Sequence, residues 1–443
     1  MAKIICHIDV NSAFLSWSAA YRVHVLGDAL DLREIPSAVC GDPESRHGII
    51  LAKSAPAKLY GVKTGEPLFQ ARQKCPQLVV VAPDYALYVE NSRRFIAILR
   101  EVAPLVEQYS IDEAYCDLSG TEKLYGDPLQ TAVRIKDRIR DELGFTVNVG
   151  VSCNKLLAKM ASDFEKPDRV HTLFPAEIAE KLWPLPVREL FLVGPATERK
   201  LQAMGITTIG QLAQADPAHL RARLHKHGEL IWNFANGRAD DELAAETALN
   251  KGYGNSVTTA VDIVDRQTAH KVLLSLSETV GMRMRRDAQR GSCISVQIRS
   301  NAFRNVSRQM QLPQPTDATL EIYHAACRVF DDLWDGRTPL RLLGVQMSGV
   351  SREAPRQGSL FEPDAYERLA RSDAAIDSIR ARFGESAIMR ASFLQTDGVG
   401  PMAGGLSKAR RSGVTKPVPP EEDEASAEFW AGSADLLPGE EEG

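Results

Sequence analysis

The chain opens on a short isoleucine-rich apolar run, IICHIDV, that reaches a carboxylate at Asp9. Such a run predicts a buried strand delivering Asp9 at its C-terminal end. A second apolar run, LVVVAP from Leu78 to Pro83, is closed by proline and predicts another strand. An apolar segment around Ser110-Ile111-Asp112-Glu113 continues into AYCDL. A helical pattern covers Pro128 to Leu143, after which FTVNVGVS predicts a strand and NKLLAKMASDF a helix. Strands alternating with helices point to an α/β or α+β core.

From Lys181 the pattern changes to short helical pieces punctuated by glycine, LPVRELFLVGPATERKLQAMGITTIGQLAQ and HKHGELIWNFANGRADD, which predict a separate small helical domain. Beyond Lys251 come a strand-like NSVTTAVDIV, a helix from Gln267 to Gln289, a hairpin CISVQIRSNAFRNVSRQMQL, a helix from Ala318 to Trp334 and a final strand LRLLGVQMSGV. That βαββαβ order makes a compact sheet with two helices on one face. After Ser351 follow a linker, a helical stretch from Asp373 to Phe383, and from about Thr396 a Gly-, Pro- and acid-rich tail that cannot bury enough to fold.

A length of 443 residues calls for more than one hydrophobic core. With 44% hydrophobic and 25% charged residues the composition is that of an ordinary globular protein. No apolar run approaches the ~20 residues that span a bilayer, and an aspartate interrupts the N-terminal run where a signal peptide would stay apolar, so the expected location is the cytoplasm. Seven scattered cysteines with no CxxC pair suggest neither a disulfide framework nor a zinc site. The formal charge of −5 becomes +4 once the nine acids between Pro417 and Gly443 are set aside, which gives a basic body with an acidic tail.

Asp9, Asp112 and Glu113 are the candidate chemistry. Neighbouring residues of a regular strand point to opposite faces, so Asp112 and Glu113 can share a site only at a bend or hairpin tip. Three clustered carboxylates without His or Cys would suit Mg²⁺ rather than zinc, and two-metal phosphoryl transfer needs such bridging acids. Solvated turn acids are the alternative that spacing leaves open.

HIDVNSAF, AKLYGVKTGEP, YSIDEAYCDL, GVSCNKLLAKMASDFEKPD and LVGPATERKL, in this order, resemble the motifs of Y-family DNA polymerases of the DinB or DNA polymerase IV branch, over about residues 1 to 400. The resemblance implies a multidomain α+β right hand: palm and fingers in 1–170, a helical thumb in 171–240, a βαββαβ little finger in 246–350, a linker with a clamp-binding peptide and a helix in 351–395, and a disordered acidic tail in 396–443. It implies template-directed, low-fidelity translesion synthesis on primer-template DNA from deoxynucleoside triphosphates, without proofreading. Asp9, Asp112 and Glu113, with the Val10 carbonyl, would hold two Mg²⁺ ions. Phe14 would be the steric gate against ribose, the alternative being a core aromatic. Lys58 and Lys166 would meet the triphosphate, although taken alone either reads as a surface charge.

Two departures qualify the match, Asn11 where relatives commonly have a second aspartate and Ala55 where many carry tyrosine. Gly194, in a turn similar to a helix-hairpin-helix, would face a DNA phosphate. Arg299, Arg304 and Arg308, with Arg283, Arg285 and Arg286, would grip the duplex backbone. Gln357, Leu360 and Phe361 are similar to the peptide that docks bacterial polymerases on the sliding clamp. The resulting expectation is a monomeric enzyme, cytoplasmic and at the nucleoid when on DNA. A non-catalytic accessory protein of the same fold would be marked by loss of the metal carboxylates, and all three remain. A nucleotidyl cyclase would have no use for the thumb, the arginine-bearing domain or the clamp peptide.

Overall fold

The computed structural model describes residues 3–42, 48–239, 242–243, 250–352, 356–357, 365–385 and 387–393. Leu360 and Phe361 of the expected docking peptide and the acidic tail from 396 lie outside the described residues. The elements from Ile5 to Ala235 belong to one compact unit and those from Gly252 to Phe393 to another.

The strands of the first unit are β1 (Ile5–Val10), β2 (Ser37–Cys40), β3 (Ile50–Lys53), β4 (Val79–Val81), β5 (Leu105–Gln108), β6 (Glu113–Asp117), β7 (Val147–Ser152) and β8 (Val170–Thr172). They form a five-stranded sheet in the order β5-β6-β1-β7-β8 and a three-stranded sheet in the order β3-β2-β4. The central place of β1 follows from its apolarity on both faces. Cys6, Ile8 and Val10 pack with residues of the helices Tyr85–Val102 and Pro128–Leu143. On the other face Ile5 packs with Ala158 of the helix Lys155–Ser162. Each fully buried Ile contributes about 1.5–3 kcal/mol, enough to hold the strand in register while its last turn of sequence carries a carboxylate. Gly150 on β7 lets that helix come close, since a Cβ there would meet the Ala158 carbonyl at 2.0 Å.

The helix Ala13–His24 was not foreseen. Ala13 and every residue from Leu15 to Ala20 are buried, so no polar stripe marks its period. The helix Tyr85–Val102 and the short strands β2, β3 and β8 also went unread. The helices Pro195–Gln202, Ile209–Gln214, Pro217–Leu224 and Lys226–Ala235 follow around an apolar core of their own.

In the second unit β9 (Gly252–Ile263), β10 (Arg290–Ser300), β11 (Asn305–Thr316) and β12 (Leu340–Ser351) form an antiparallel sheet in the order β11-β10-β12-β9. The helices Arg266–Arg286 and Thr319–Leu333 cover one face, as the βαββαβ pattern predicts. The last long helix is Ala365–Phe383, longer at its N-terminal end than the expected Asp373–Phe383. No helix among the described residues is long and apolar enough to cross a membrane.

Candidate active site

Asp9 on β1 and Glu113 on β6 are direct cross-strand partners, so their side chains leave the sheet on the same face. Asp112 sits in the turn between β5 and β6. Tyr109 and Ser110 both donate their N–H to the Glu113 carbonyl, at 3.0 and 3.1 Å, and Val10 donates to the Asp112 carbonyl at 3.0 Å. That bend lets consecutive acids serve one place: the Ser110 hydroxyl lies 2.6 Å from Asp112 Oδ1 and 3.4 Å from Glu113 Oε2.

Two lysines stand against these acids. Lys159 Nζ is 2.6 Å from Glu113 and 3.4 Å from Asp9, and Lys166 Nζ is 2.8 Å from Asp9. Asp163 holds both, at 3.2 Å from Lys159 and 3.0 Å from Lys166. Burial pulls both ammonium groups down, but the surrounding carboxylates, Asp9 foremost, outweigh it and carry them above their ordinary values. Burial raises the Asp112 carboxyl, against a hydrogen bond from Ser110, and the charge of Asp9 adds to the rise. Burial likewise raises Glu113; Lys159 opposes it, and Asp9 and Asp112 push further up. Behind them, fully buried His7 meets Ser162 Oγ at 2.7 Å through Nδ1, and desolvation, reinforced by Lys159 and Lys166, holds it neutral.

The donor set is all oxygen, and its carboxylates repel one another for want of countercharge, which fits a hard divalent cation. In this arrangement ammonium groups take the carboxylates, and among the described residues no three His, Cys, Asp or Glu side chains close on one point. Lys159 and Asp163 were missed in the sequence reading. Their signal was the four-residue spacing of Lys155, Lys159 and Asp163, which lines one face of a helix.

Phe14 lies in the first turn of the helix that follows β1. It stacks on Tyr88 at 4.6 Å and 8° and meets Tyr85 edge-on at 6.2 Å, so the ring is both half-buried and fixed. Lys58 is exposed on the short helix Ala55–Leu59, near Lys53 rather than against the carboxylates. Asn11 donates to Thr146 Oγ1 at 3.2 Å.

Gly194 caps the helix Pro195–Gln202, with open space where a Cβ would stand. Arg299 and Arg304 lie at the end of β10 and in the turn to β11, with Arg299 Nε 2.6 Å from Asn305. Arg308 is the cross-strand partner of buried Val296 and lies 3.7 Å from Asp332, so it shares the helix-bearing side. Arg285 is a correction. It is buried against Asp373 at 3.1 Å and Asp377 at 2.6 Å, and those partners leave it no phosphate to hold. Gln357 donates its backbone N–H to Gln314 at 3.2 Å.

Comparison with known proteins follows the same outline. Residues 8–163 match the impB/mucB/samB family, residues 175–206 the IMS family HHH motif, and residues 250–360 the impB/mucB/samB family C-terminal domain. The chain is similar to DNA polymerase IV of Clostridium acetobutylicum, 43% identical over 398 residues covering 90% of this chain and 100% of that one. It is 40% identical to DNA polymerase IV of Moorella thermoacetica over 88% of this chain and 96% of the relative. A solved Y-family DNA polymerase chimera aligns with a TM-score of 0.65 at 23% identity, over 78% of this chain and 99% of its own, and shows the fold.

Proposed function

The chain belongs to the impB/mucB/samB family of Y-family DNA polymerases, in its DNA polymerase IV branch, and from that premise we propose how its own residues carry the reaction. It is a template-directed DNA polymerase of the low-fidelity, translesion kind, acting on DNA and nucleotides. The observation that carries the residue assignment is the pairing of Asp9 with Glu113 across adjacent strands, with Asp112 at the turn beside them.

Asp9, Asp112 and Glu113, with the Val10 carbonyl, are the ligands of the family's divalent ions, which we read as two Mg²⁺; when bound, the ions supply Lewis-acid stabilisation of the attacking and leaving oxygens. The protein adds no nucleophile, since the primer hydroxyl provides it, and its task is positioning and charge neutralisation. Lys166, at the rim of the carboxylates, is available to the triphosphate. Lys58, farther out on the short helix, gives charge without a bidentate fork.

Phe14 limits the room beside the sugar because Tyr88 and Tyr85 prevent its ring from turning aside. Gly194, Arg299 and Arg304 meet backbone phosphates, with Arg308 the weaker candidate because of Asp332. The enzyme acts as a monomer in the bacterial cytoplasm, on nucleoid DNA. Nothing favours a non-catalytic accessory role, for every carboxylate that role would lose is in place.

The test is primer extension with Mg²⁺ on intact and lesion-bearing templates, and a pure chain that extends neither would sink the reading. In the same assay Phe14→Ala is expected to raise ribonucleotide insertion relative to deoxynucleotide about 100-fold, since removing a buried-edge clash of a few kcal/mol changes selectivity by that order. Unchanged sugar discrimination would remove Phe14 from the gate.

Gln357, Leu360 and Phe361 we assign to the sliding clamp, where two apolar anchors fill a pocket. Leu360→Ala/Phe361→Ala is expected to weaken binding to an immobilised bacterial clamp at least about ten-fold, as loss of paired hot-spot anchors does. Equal dissociation constants would move the contact elsewhere.

A further inference from the structure

Lys159 and Lys166 are shared between two sets of acids. On one side stand Asp9 and Glu113, the proposed ligands. On the other stands Asp163, which lies within 3.2 Å of Lys159 and 3.0 Å of Lys166 and contacts neither ligand in any recorded pair. Its side chain is 42% exposed, against 13% for Asp9 and 19% for Glu113. Four acids, Asp9, Asp112, Glu113 and Asp163, thus face two ammonium groups, and the surplus negative charge suits a divalent cation.

A cation held by Asp9 and Glu113 must share their oxygens with the lysines or displace them. Lys159 is only 10% exposed, so an ammonium displaced without a partner would be left nearly buried and uncompensated, which is costly. Asp163 removes that obstacle. It sits one helical turn beyond Lys159, already in contact, and needs no rearrangement of the backbone to receive it. The same acid steadies Lys166 at the rim, where a triphosphate would arrive.

We propose that Asp163 is a positioning residue that receives Lys159 and Lys166 when a divalent cation takes Asp9 and Glu113, so that the two lysines are displaced without being left unpaired. The inference rests on the ligand assignment above. It makes cation binding an exchange of partners inside a prebuilt charge cluster, with Asp163 setting how strongly the lysines compete.

The experiment is titration of the full chain with Mn²⁺, free ion being followed by electron paramagnetic resonance, without DNA or nucleotide. Asp163→Asn is expected to weaken Mn²⁺ binding about ten-fold, the scale of one close charge pair at a half-exposed site, and Asp163→Glu to restore it. In a Lys159→Met/Lys166→Met background, Asp163→Asn is expected to change the dissociation constant less than about two-fold, because the coupling is to the lysines. An undiminished loss in that background would mean that Asp163 attracts the cation directly, and would overturn the inference; so would wild-type affinity in Asp163→Asn alone. Asp112→Ala/Glu113→Ala separates the two claims. Retained Mn²⁺ binding there overturns the ligand assignment and this inference together, whereas loss there beside an unaffected Asp163→Asn overturns only the role of Asp163.

Discussion

Replacing Asp112 and Glu113 by alanine is expected to lower single-nucleotide insertion by at least about a thousand-fold, the scale on which loss of transition-state charge stabilisation is felt, while leaving the fold intact. The two halves of that expectation have different causes. Activity falls because only Asp9 would remain of the three carboxylates. Stability survives because the lost groups are not a source of it at neutral pH. Burial raises both carboxyls in the folded chain, so whatever they contribute to stability is present below their ordinary range and lost as the pH climbs through the raised values.

In the metal-free protein the wild type should therefore lose stability as pH rises past the usual carboxylate range, and the double variant should lose less. Lys159 keeps Asp9 and Asp163 as partners, so no ammonium is stranded. Insertion kinetics and thermal melts across pH check both halves. Insertion within about ten-fold of wild type, from a variant that melts normally, would take Asp112 and Glu113 out of the reaction.

Much of the site was legible in the chain. A strand ending near Asp9 follows from IICHIDV, and the demand that Asp112 and Glu113 share a face required the bend that Tyr109 and Ser110 make. The helix over Pro128–Leu143 was readable to the residue, because Asp127 caps it, Pro128 opens it and Gly144 closes it in the left-handed region. What could not be read was set by partners distant in sequence. The helix Ala13–His24 is buried almost all round, so periodicity gave no sign of it. Arg285 looked like one more basic residue near a helix end. Its role depends on Asp373 and Asp377, 88 and 92 residues later, and local pattern carries no trace of such a pairing. Lys159 stood in the open, four residues from both Lys155 and Asp163, and was passed over because its charge reads as ordinary helix surface until β1 and β6 are laid beneath it.

The same long-range logic predicts the largest stability effect in the second unit. Glu278, midway along the helix Arg266–Arg286, is 2% exposed, and each of its oxygens is taken by a different arginine: Arg380 at 3.0 Å and Arg390 at 2.8 Å. Arg380 is itself 3% exposed and also donates to the Ile388 carbonyl. Together with Arg285, Asp373 and Asp377, these pairs bind the helix Ala365–Phe383 to the body of the unit. Glu278→Ala would leave Arg380 buried without its counter-ion, and such a broken pair costs about 3–5 kcal/mol.

The loss should come from the stranded charge and not from the missing volume. Glu278→Met/Arg380→Met/Arg390→Met, which removes the charges together and fills the space, is therefore expected to restore most of the stability. Trp334, 4% exposed in the core of this unit, makes its unfolding visible by fluorescence during denaturant titration of the whole chain. A cost below about 1 kcal/mol for Glu278→Ala would place the pair in the class of exposed ion pairs, and a triple variant as weak as the single one would show that packing, not charge, secures this helix. The expected order, with the single variant far below the triple, also ties the last described helix to the segment before it: Arg356 pairs with Glu321 at 2.6 Å while Tyr366 donates to Asp317 at 2.5 Å, so chain on both sides of Leu360 and Phe361 is attached to one unit, and loosening Glu278 should release the attachment on the C-terminal side alone.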